Sequence, residues 1–211
     1  MAFDHQEQEQ IDELKAWWSR YGSHVLLAVT LVALIIAGFQ GWRYYERNQA
    51  IAAAALYEQL EQAGRAGDHK KVRDIAGRII GQYGSTPFGT FAAFSAARAA
   101  LDTGDLAGAR AQLAWVMSHA QEDEARDIAR LRLAAVLLDG KNHAEALKHV
   151  ETKPVDSLTA LYADLKGDIL AAQGKKEEAR GAYQLALDRS EAGSAYRGIV
   201  QLKMDALGEP K

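Results

Sequence analysis

A stretch of 22 residues without a formal charge, residues 21–42, constrains this chain more than any other feature of its sequence. It lies between Arg20 and Arg43, and its central part, residues 25–39, is almost purely apolar. As a helix that rises ~1.5 Å per residue, it would reach ~33 Å, which matches the ~30 Å hydrocarbon core of a bilayer. The sequence therefore predicts one transmembrane helix, residues 21–43.

Both ends of this segment carry residue types that are typical of membrane interfaces. Tryptophan and tyrosine rings prefer the headgroup level, and arginine side chains can extend outward to water. Tyr21 adds one more aromatic ring at the first boundary. The predicted membrane-interface anchors are Trp17, Trp18, Arg20, Trp42, Arg43, Tyr44 and Tyr45.

A cleavable signal peptide and a buried core helix are the alternative interpretations of this segment. A signal peptide needs a basic start and a cleavage site of small residues. This chain starts with an acidic 20-residue tail, and the apolar core runs into residues 39–42, FQGW. A buried helix would need cover on all sides, which a chain of 23.0 kDa could not easily provide.

Charge does not settle which way the segment crosses the membrane. Lys15 and Arg20 precede it and Arg43 and Arg47 follow it, so the positive-inside rule gives a tie.

Charge does argue against a nucleic acid as the main partner. Residues 1–42 hold five acidic and two basic side chains, which accounts for the whole formal charge of −3. The remaining residues hold 23 of each sign. A nucleic-acid binder normally shows a basic excess, because neutralising phosphates supplies much of its affinity.

Beyond the membrane segment the chain reads as helices separated by glycine turns. Alanine, the best helix former, occurs 40 times, and proline only 3 times. Glycines followed by polar residues stand at Gly67, Gly104, Gly140 and Gly174, at spacings of 37, 36 and 34 residues. These spacings are close to the 34-residue period of tetratricopeptide repeats, which are pairs of antiparallel helices.

Residues 163–187 form the clearest repeat unit. Gly167 stands where two helices must approach closely, and Gly174 closes the first helix because it can adopt left-handed geometry. Ala179, Tyr183 and Ala186 follow at spacings of four and three, which places them on one face of the second helix. The preceding units are looser, and the segment from Gly140 to Ala146 is one residue longer than expected.

Other residues mark helix borders. Pro87 after Thr86 favours a helix start, and Pro154 interrupts any helix that continues from Ala146. The sequence predicts a closing helix over residues 194–207, with an apolar face of Ile199, Leu202 and Ala206. Residues 44–66 contain no helix breaker.

The predicted fold is all-α: a single N-terminal transmembrane helix followed by a tetratricopeptide-repeat-like α-solenoid of antiparallel helix pairs. The domains are a tail of residues 1–20, the span of residues 21–43 and the repeat domain of residues 44–211. A helical bundle with accidental glycine spacing is the alternative.

The sequence offers no catalytic residues, metal site or cofactor site. It has no cysteine, its six histidines take no ligand spacing such as HExxH, and neither GxSxG nor GxxxxGK[ST] occurs. The acidic residues of 122–127 are interpreted as favourable charges at a helix start. We therefore expect a non-enzymatic protein.

A stack of helix pairs instead offers a concave surface lined by the first helix of each pair. The repeat geometry projects six side chains toward this partner-binding groove: Phe94, Arg98, Asp127, Arg130, Asp164 and Asp168. Alternatively these residues form a solvated charged face, with Phe94 in the core.

The whole chain resembles a known family. An acidic tail ending in Trp17-Trp18, one span running into residues 41–45 (GWRYY), a small alanine-rich repeat domain, and the segments 131–134 and 174–183 carry the resemblance. The chain looks like the YfgM-type ancillary subunits of the bacterial SecYEG translocon.

The resemblance implies a single-pass inner-membrane protein with a cytoplasmic N-terminus and a periplasmic repeat domain. It implies partners, namely SecYEG and the periplasmic chaperone PpiD, and a role with client proteins as they emerge from the channel. From the residues alone, a repeat adaptor for another envelope assembly and a stress-response regulator acting through the acidic tail stay open.

Overall fold

The computed structural model describes residues 2–208, with side chains from Gln10 onward. Within that range the chain is helical and contains no strand, so the predicted all-α class is confirmed. A short 3-10 turn, Asp156–Leu158, precedes α7. The helices are α1 (Ala2–Arg65), α2 (His69–Tyr83), α3 (Pro87–Asp102), α4 (Leu106–His119), α5 (Asp123–Asp139), α6 (His143–Val150), α7 (Thr159–Ala172), α8 (Lys176–Arg189) and α9 (Ala195–Asp205).

The chain divides into two compact units, Met1–Asn48 and Gln49–Lys211. In the first unit, α1 is long and apolar enough to cross a membrane, by its length and composition. Its apolar side chains are open to the surroundings: Leu27 and Ile35, for example, are 63% and 70% exposed. This exposure within the first unit argues against the buried-core interpretation.

In the second unit, each helix from α2 to α9 packs on the next one along the chain, as expected for a stack of helix pairs. The end of α1 contributes Leu60 to the first core cluster, beside Val72 and Ile79 of α2. A central cluster joins α3 to α7, and a last cluster holds α9 against α7 and α8 through Val200.

The turns inside the helix pairs share one backbone conformation. Gly67, Gly104 and Gly174 have φ of 70°, 76° and 77°, which is the left-handed region where glycine avoids a Cβ penalty. In the third turn, however, the left-handed residue is Lys141, at φ 58°, and Gly140 is at φ −76°. This shift by one residue corrects the predicted role of Gly140 and accounts for the extra residue in that turn.

The best repeat unit folds as the spacing predicts. Ala179, Tyr183 and Ala186 of α8 are all buried. Gly167 of α7 lies against the Tyr183 ring, so closely that an added Cβ would fall inside van der Waals contact. A residue with a side chain at 167 would push the two helices apart. The close approach expected of this pair is therefore confirmed.

Two predicted helix borders are also confirmed. The third helix starts at Pro87 directly after Thr86. The Thr86 hydroxyl donates to the Tyr83 carbonyl at 2.7 Å and accepts no capping hydrogen bond from the new helix. The sixth helix ends at Val150, and Pro154 lies in the following loop.

The predicted apolar face of the closing helix is wrong. Ile199 and Leu202 are 55% and 71% exposed, whereas Val200 is fully buried. The packed face of α9 also includes Tyr196 and Lys203, because both side chains hydrogen-bond to α7. The polar contacts with α7 therefore help to set the rotation of this helix.

Candidate partner-binding groove

A cavity of about 850 Å³ opens in the second unit between the end of α1, α3 and α5. These are the first helices of three successive pairs, so the cavity lies on the surface where repeat geometry places a concave groove. Its floor includes Val72 and Leu113 from the second helices. We call it the N-terminal groove and define it by Tyr57, Glu61, Arg65, Phe91, Phe94, Arg98, Asp102, Arg132, Ala135 and Asp139.

Aromatic rings form one wall of the N-terminal groove. The Tyr57 ring of α1 lies 6.0 Å from the Phe91 ring of α3, between centroids, and both rings also contact Phe88. Phe91 is nevertheless 47% exposed. The groove therefore presents aromatic surface held in place from two helices.

Arginines and carboxylates line the rest of the groove, and most of them are already engaged. Arg98 pairs with Asp102 at 2.9 Å, one turn away on α3. Arg65 pairs with Glu61 at 3.5 Å in the same way on α1. The Arg132 guanidinium lies over the Phe94 ring, 4.7 Å from its centroid, in a cation–π contact.

The structure places two of the six predicted groove residues, Phe94 and Arg98, in this groove. Phe94 is half-buried rather than in the core, and Arg98 is exposed. Whether they bind a partner stays a prediction.

Asp127 and Arg130 lie elsewhere and hold the fold together. The buried Asp127 carboxylate pairs with Arg130 and accepts a hydrogen bond from the Val155 backbone N–H at 2.8 Å. Tyr162 donates to the Asp127 backbone carbonyl at 2.8 Å. These contacts tie the start of α5 to the loop before α7. Asp127 and Arg130 do not line the groove, although the repeat geometry predicted that they would.

Asp164 and Asp168 are closed off by the last helix. Lys203 of α9 contacts Asp164 at 2.9 Å and Asp168 at 2.8 Å. The Tyr183 hydroxyl donates to Asp168 at 2.8 Å. Burial alone lowers the pKa of Lys203, but the hydrogen bonds to Asp168 and Asp164 outweigh it and leave the pKa raised. This network fastens α9 and leaves little of the two carboxylates for a partner.

Counting back from the left-handed turn residue shows that the same two repeat positions recur. Phe94 and Arg98 stand ten and six residues before Gly104, and Asp164 and Asp168 stand ten and six before Gly174. The same count from Gly67 gives Tyr57 and Glu61, both in the groove. Sequence reasoning missed Tyr57, although its equivalence to Phe94 was a usable signal.

The remaining predicted residues are placed as follows. The membrane-interface aromatics are exposed, with Trp17 against Tyr21 at 5.8 Å and Trp42 against Tyr45 at 6.3 Å between centroids. Arg43 lies over the Phe39 ring at 5.7 Å. Their role as anchors stays a prediction. Among residues with described side chains, no three histidines or carboxylates are grouped to hold a metal ion.

Comparisons with known proteins bear on the family. The model of the tetratricopeptide repeat-like domain matches residues 15–209. The ancillary SecYEG translocon subunit of Neisseria gonorrhoeae is 28% identical over 211 residues, which cover 98% of this chain and all of that protein. The subunit of the same name from Haemophilus influenzae is 29% identical, covering 88% of this chain and 91% of its own length. That of Escherichia coli is 25% identical, covering 95% and 96%.

These relatives match 88% to 98% of the chain, so the resemblance seen in the sequence is confirmed. Since the family model covers nearly all of its length, this chain belongs to the tetratricopeptide repeat-like domain family and is similar throughout to ancillary SecYEG translocon subunits.

Proposed function

We propose that this chain is a non-enzymatic ancillary subunit of the SecYEG translocon, a membrane-anchored scaffold that acts with the chaperone PpiD on proteins emerging into the periplasm. The observation that carries the proposal is full-length similarity to translocon subunits from three bacteria. The groove supports a binding role, because it offers aromatic and charged side chains on a concave surface.

The proposed membrane topology is an inner-membrane span with the N-terminus in the cytoplasm and the repeat domain in the periplasm. A single anchor would keep the repeat domain near the channel and raise its effective concentration at emerging chains. This advantage does not need tight binding in the groove.

Association with the translocon is tested by purification of the tagged, full-length chain from inner membranes in a mild detergent. We expect SecY and PpiD to be enriched over a control in which an unrelated single-span protein carries the same tag. If neither is enriched, the chain is not a translocon subunit and an adaptor role in another envelope assembly becomes the better account.

The topology is tested with single cysteines, which report cleanly because the natural chain has none. Gln10→Cys marks the tail, and Arg189→Cys marks an exposed position on α8. In intact spheroplasts we expect a membrane-impermeant maleimide to label only the second variant, and to label both after permeabilisation. Labelling of position 10 alone in intact spheroplasts would mean the opposite orientation.

A further inference from the structure

The aromatic wall of the N-terminal groove leaves apolar surface uncovered on the concave side of the repeat domain. The Phe91 side chain is 47% exposed although Tyr57 and Phe88 contact its ring. Burying such a ring against a ligand removes apolar area from water, which is the main favourable term in most associations. A ligand with its own large apolar side chain would therefore gain most at this wall.

The charged side chains of the groove indicate which net charge the ligand should carry. Three arginines (Arg65, Arg98 and Arg132) face three carboxylates (Glu61, Asp102 and Asp139), so the lining is neutral in sum. Two of the arginines pair with carboxylates one turn away, and the third lies on the Phe94 ring. A terminal carboxylate or acidic motif would need uncommitted cationic donors that converge on it.

We infer that the N-terminal groove binds extended polypeptide segments of low net charge that carry large aromatic side chains. This ligand class rests on the proposed function, since a scaffold beside an export channel meets unfolded segments before their aromatic residues are buried. The aromatic wall supplies the affinity, and a lining with no excess of cations gives a strongly acidic segment no advantage.

Peptide binding by the purified full-length chain in lipid nanodiscs tests this ligand class. The three probes are fluorescent peptides of equal length: a neutral one with two tryptophans, the same peptide with serines in their place, and an acidic one that ends in glutamates and a free carboxylate. We expect the tryptophan peptide to bind at least about tenfold more tightly than either of the others. Its affinity should change less than about twofold between low and physiological salt, because its attraction is not ionic.

Two matched substitutions locate the binding surface. Phe91→Ala should weaken binding of the tryptophan peptide about tenfold, whereas Leu185→Ala should leave it unchanged. Leu185 is a suitable control because it is also a large exposed apolar residue, 43% exposed, but lies on α8. Circular dichroism checks that both variants fold, and Phe91→Leu serves as a milder substitution if Phe91→Ala does not.

Tighter binding of the acidic peptide, equal binding of the serine peptide, or a loss on Leu185→Ala without a loss on Phe91→Ala would overturn the inference. Its failure is distinguishable from failure of the proposed function. If SecY still copurifies while the tryptophan peptide does not bind, only the ligand class is wrong. If the peptide binds as expected while SecY and PpiD do not copurify, the translocon assignment is wrong and the ligand class stands.

Discussion

Equivalent positions of the repeat have opposite surroundings at the two ends of the repeat domain. In α3, Phe94 and Arg98 line an open groove of about 850 Å³. In α7, the equivalent Asp164 and Asp168 are held by Lys203 and Tyr183. Repeat register therefore shows which residues point to the concave side, but the element that packs opposite them decides whether they remain available.

Equivalent positions therefore differ in their structural role within one fold. The α7 positions hold the last helix, whereas the α3 positions line the open groove. The left-handed residue Gly208, at φ 84°, stands 34 residues after Gly174, so α9 takes the place of the first helix of a further unit. In this position α9 covers the Asp164 and Asp168 carboxylates of α7. We call the α7 positions held by α9 the closed end of the repeat domain and the N-terminal groove its open end. Substitutions at the closed end should thus affect stability, and those at the open end should affect binding.

The largest expected effect is from Asp127→Ala, at a buried carboxylate of α5 that lies outside the groove. It removes a buried carboxylate and leaves Arg130 and the Val155 N–H without their partner, which should lower the free energy of unfolding by about 3 kcal/mol. Urea unfolding of the full-length chain in micelles, followed by circular dichroism, measures it. Glu122→Ala, an exposed acid of the same helix start, should change it by less than about 0.5 kcal/mol. Equal effects would contradict a structural role for Asp127.

Glycine substitutions give the next largest effect. Gly167→Ala should lower the free energy of unfolding by about 2 kcal/mol, because the new Cβ meets the Tyr183 ring. This ring cannot easily move aside, since the Tyr183 hydroxyl donates a hydrogen bond to Asp168. The control is Gly198→Ala on α9, where an added Cβ meets nothing within 4 Å. There alanine should stabilise by about 0.5 kcal/mol through helix propensity. The midpoints of urea unfolding should therefore move in opposite directions, and a shared direction would show that the close approach of α7 and α8 is not limiting.

The pH dependence of the stability lost in Lys203→Met tests the contribution of the Lys203 charge at the closed end. We expect a loss of about 1.5 kcal/mol at neutral pH, since two carboxylates lose their cation in a partly buried site. The pKa of Lys203 is raised from 10.5, so its stabilisation is complete below pH 10.5 and is lost as the pH rises through the raised value. The gap in unfolding midpoint between the natural chain and Lys203→Met should therefore stay constant below pH 10.5 and narrow above it. A gap that stays constant as the pH rises above 10.5 would mean that the charge of Lys203 does not contribute to stability.

The smallest effect on stability should come from Arg98→Gln, at the position equivalent to Asp168. Its ion pair with Asp102 is exposed and joins neighbouring turns of one helix, so its loss should cost about 0.3 kcal/mol. Asp168→Asn, measured in the same way, should cost about 1 kcal/mol because it weakens the contacts with Lys203 and Tyr183. A larger loss at Arg98 than at Asp168 would reverse the assignment of open and closed ends.

Residue spacing predicted the helices and the best repeat unit because small residues at fixed offsets have a direct steric reason. Gly167 and Ala179 are such positions, and the large Tyr183 ring packs against Gly167. The third turn could not be predicted in the same way, since lysine gives no sign of left-handed geometry. Gly140 was the natural choice there, but its Cβ position is instead crowded by the Arg110 guanidinium, at 2.7 Å.

The groove was less predictable than the fold. Phe94 and Arg98 could be placed from the period. Arg130 could not, because it stands ten residues before Gly140, whereas the left-handed residue is Lys141 and the equivalent position is Leu131. Asp127 stands at neither repeat position. The closure of Asp164 and Asp168 depends on the rotation of α9, which lies beyond the last complete helix pair. The apolar pattern of Ile199 and Leu202 suggested another rotation, since it carries no information about the ion pairs of Lys203.

Photo-crosslinking in intact cells tests most directly whether partners bind at the open end, in the N-terminal groove. A photoreactive amino acid replaces Arg98 in the groove or, as the control, Arg189 on the second helix of the last pair, while a secretory precursor is arrested in the channel. We expect the precursor or PpiD to be captured from position 98 and not from position 189. Capture from position 189 alone would show that partners meet the outer helices, and the account of an open groove would be wrong.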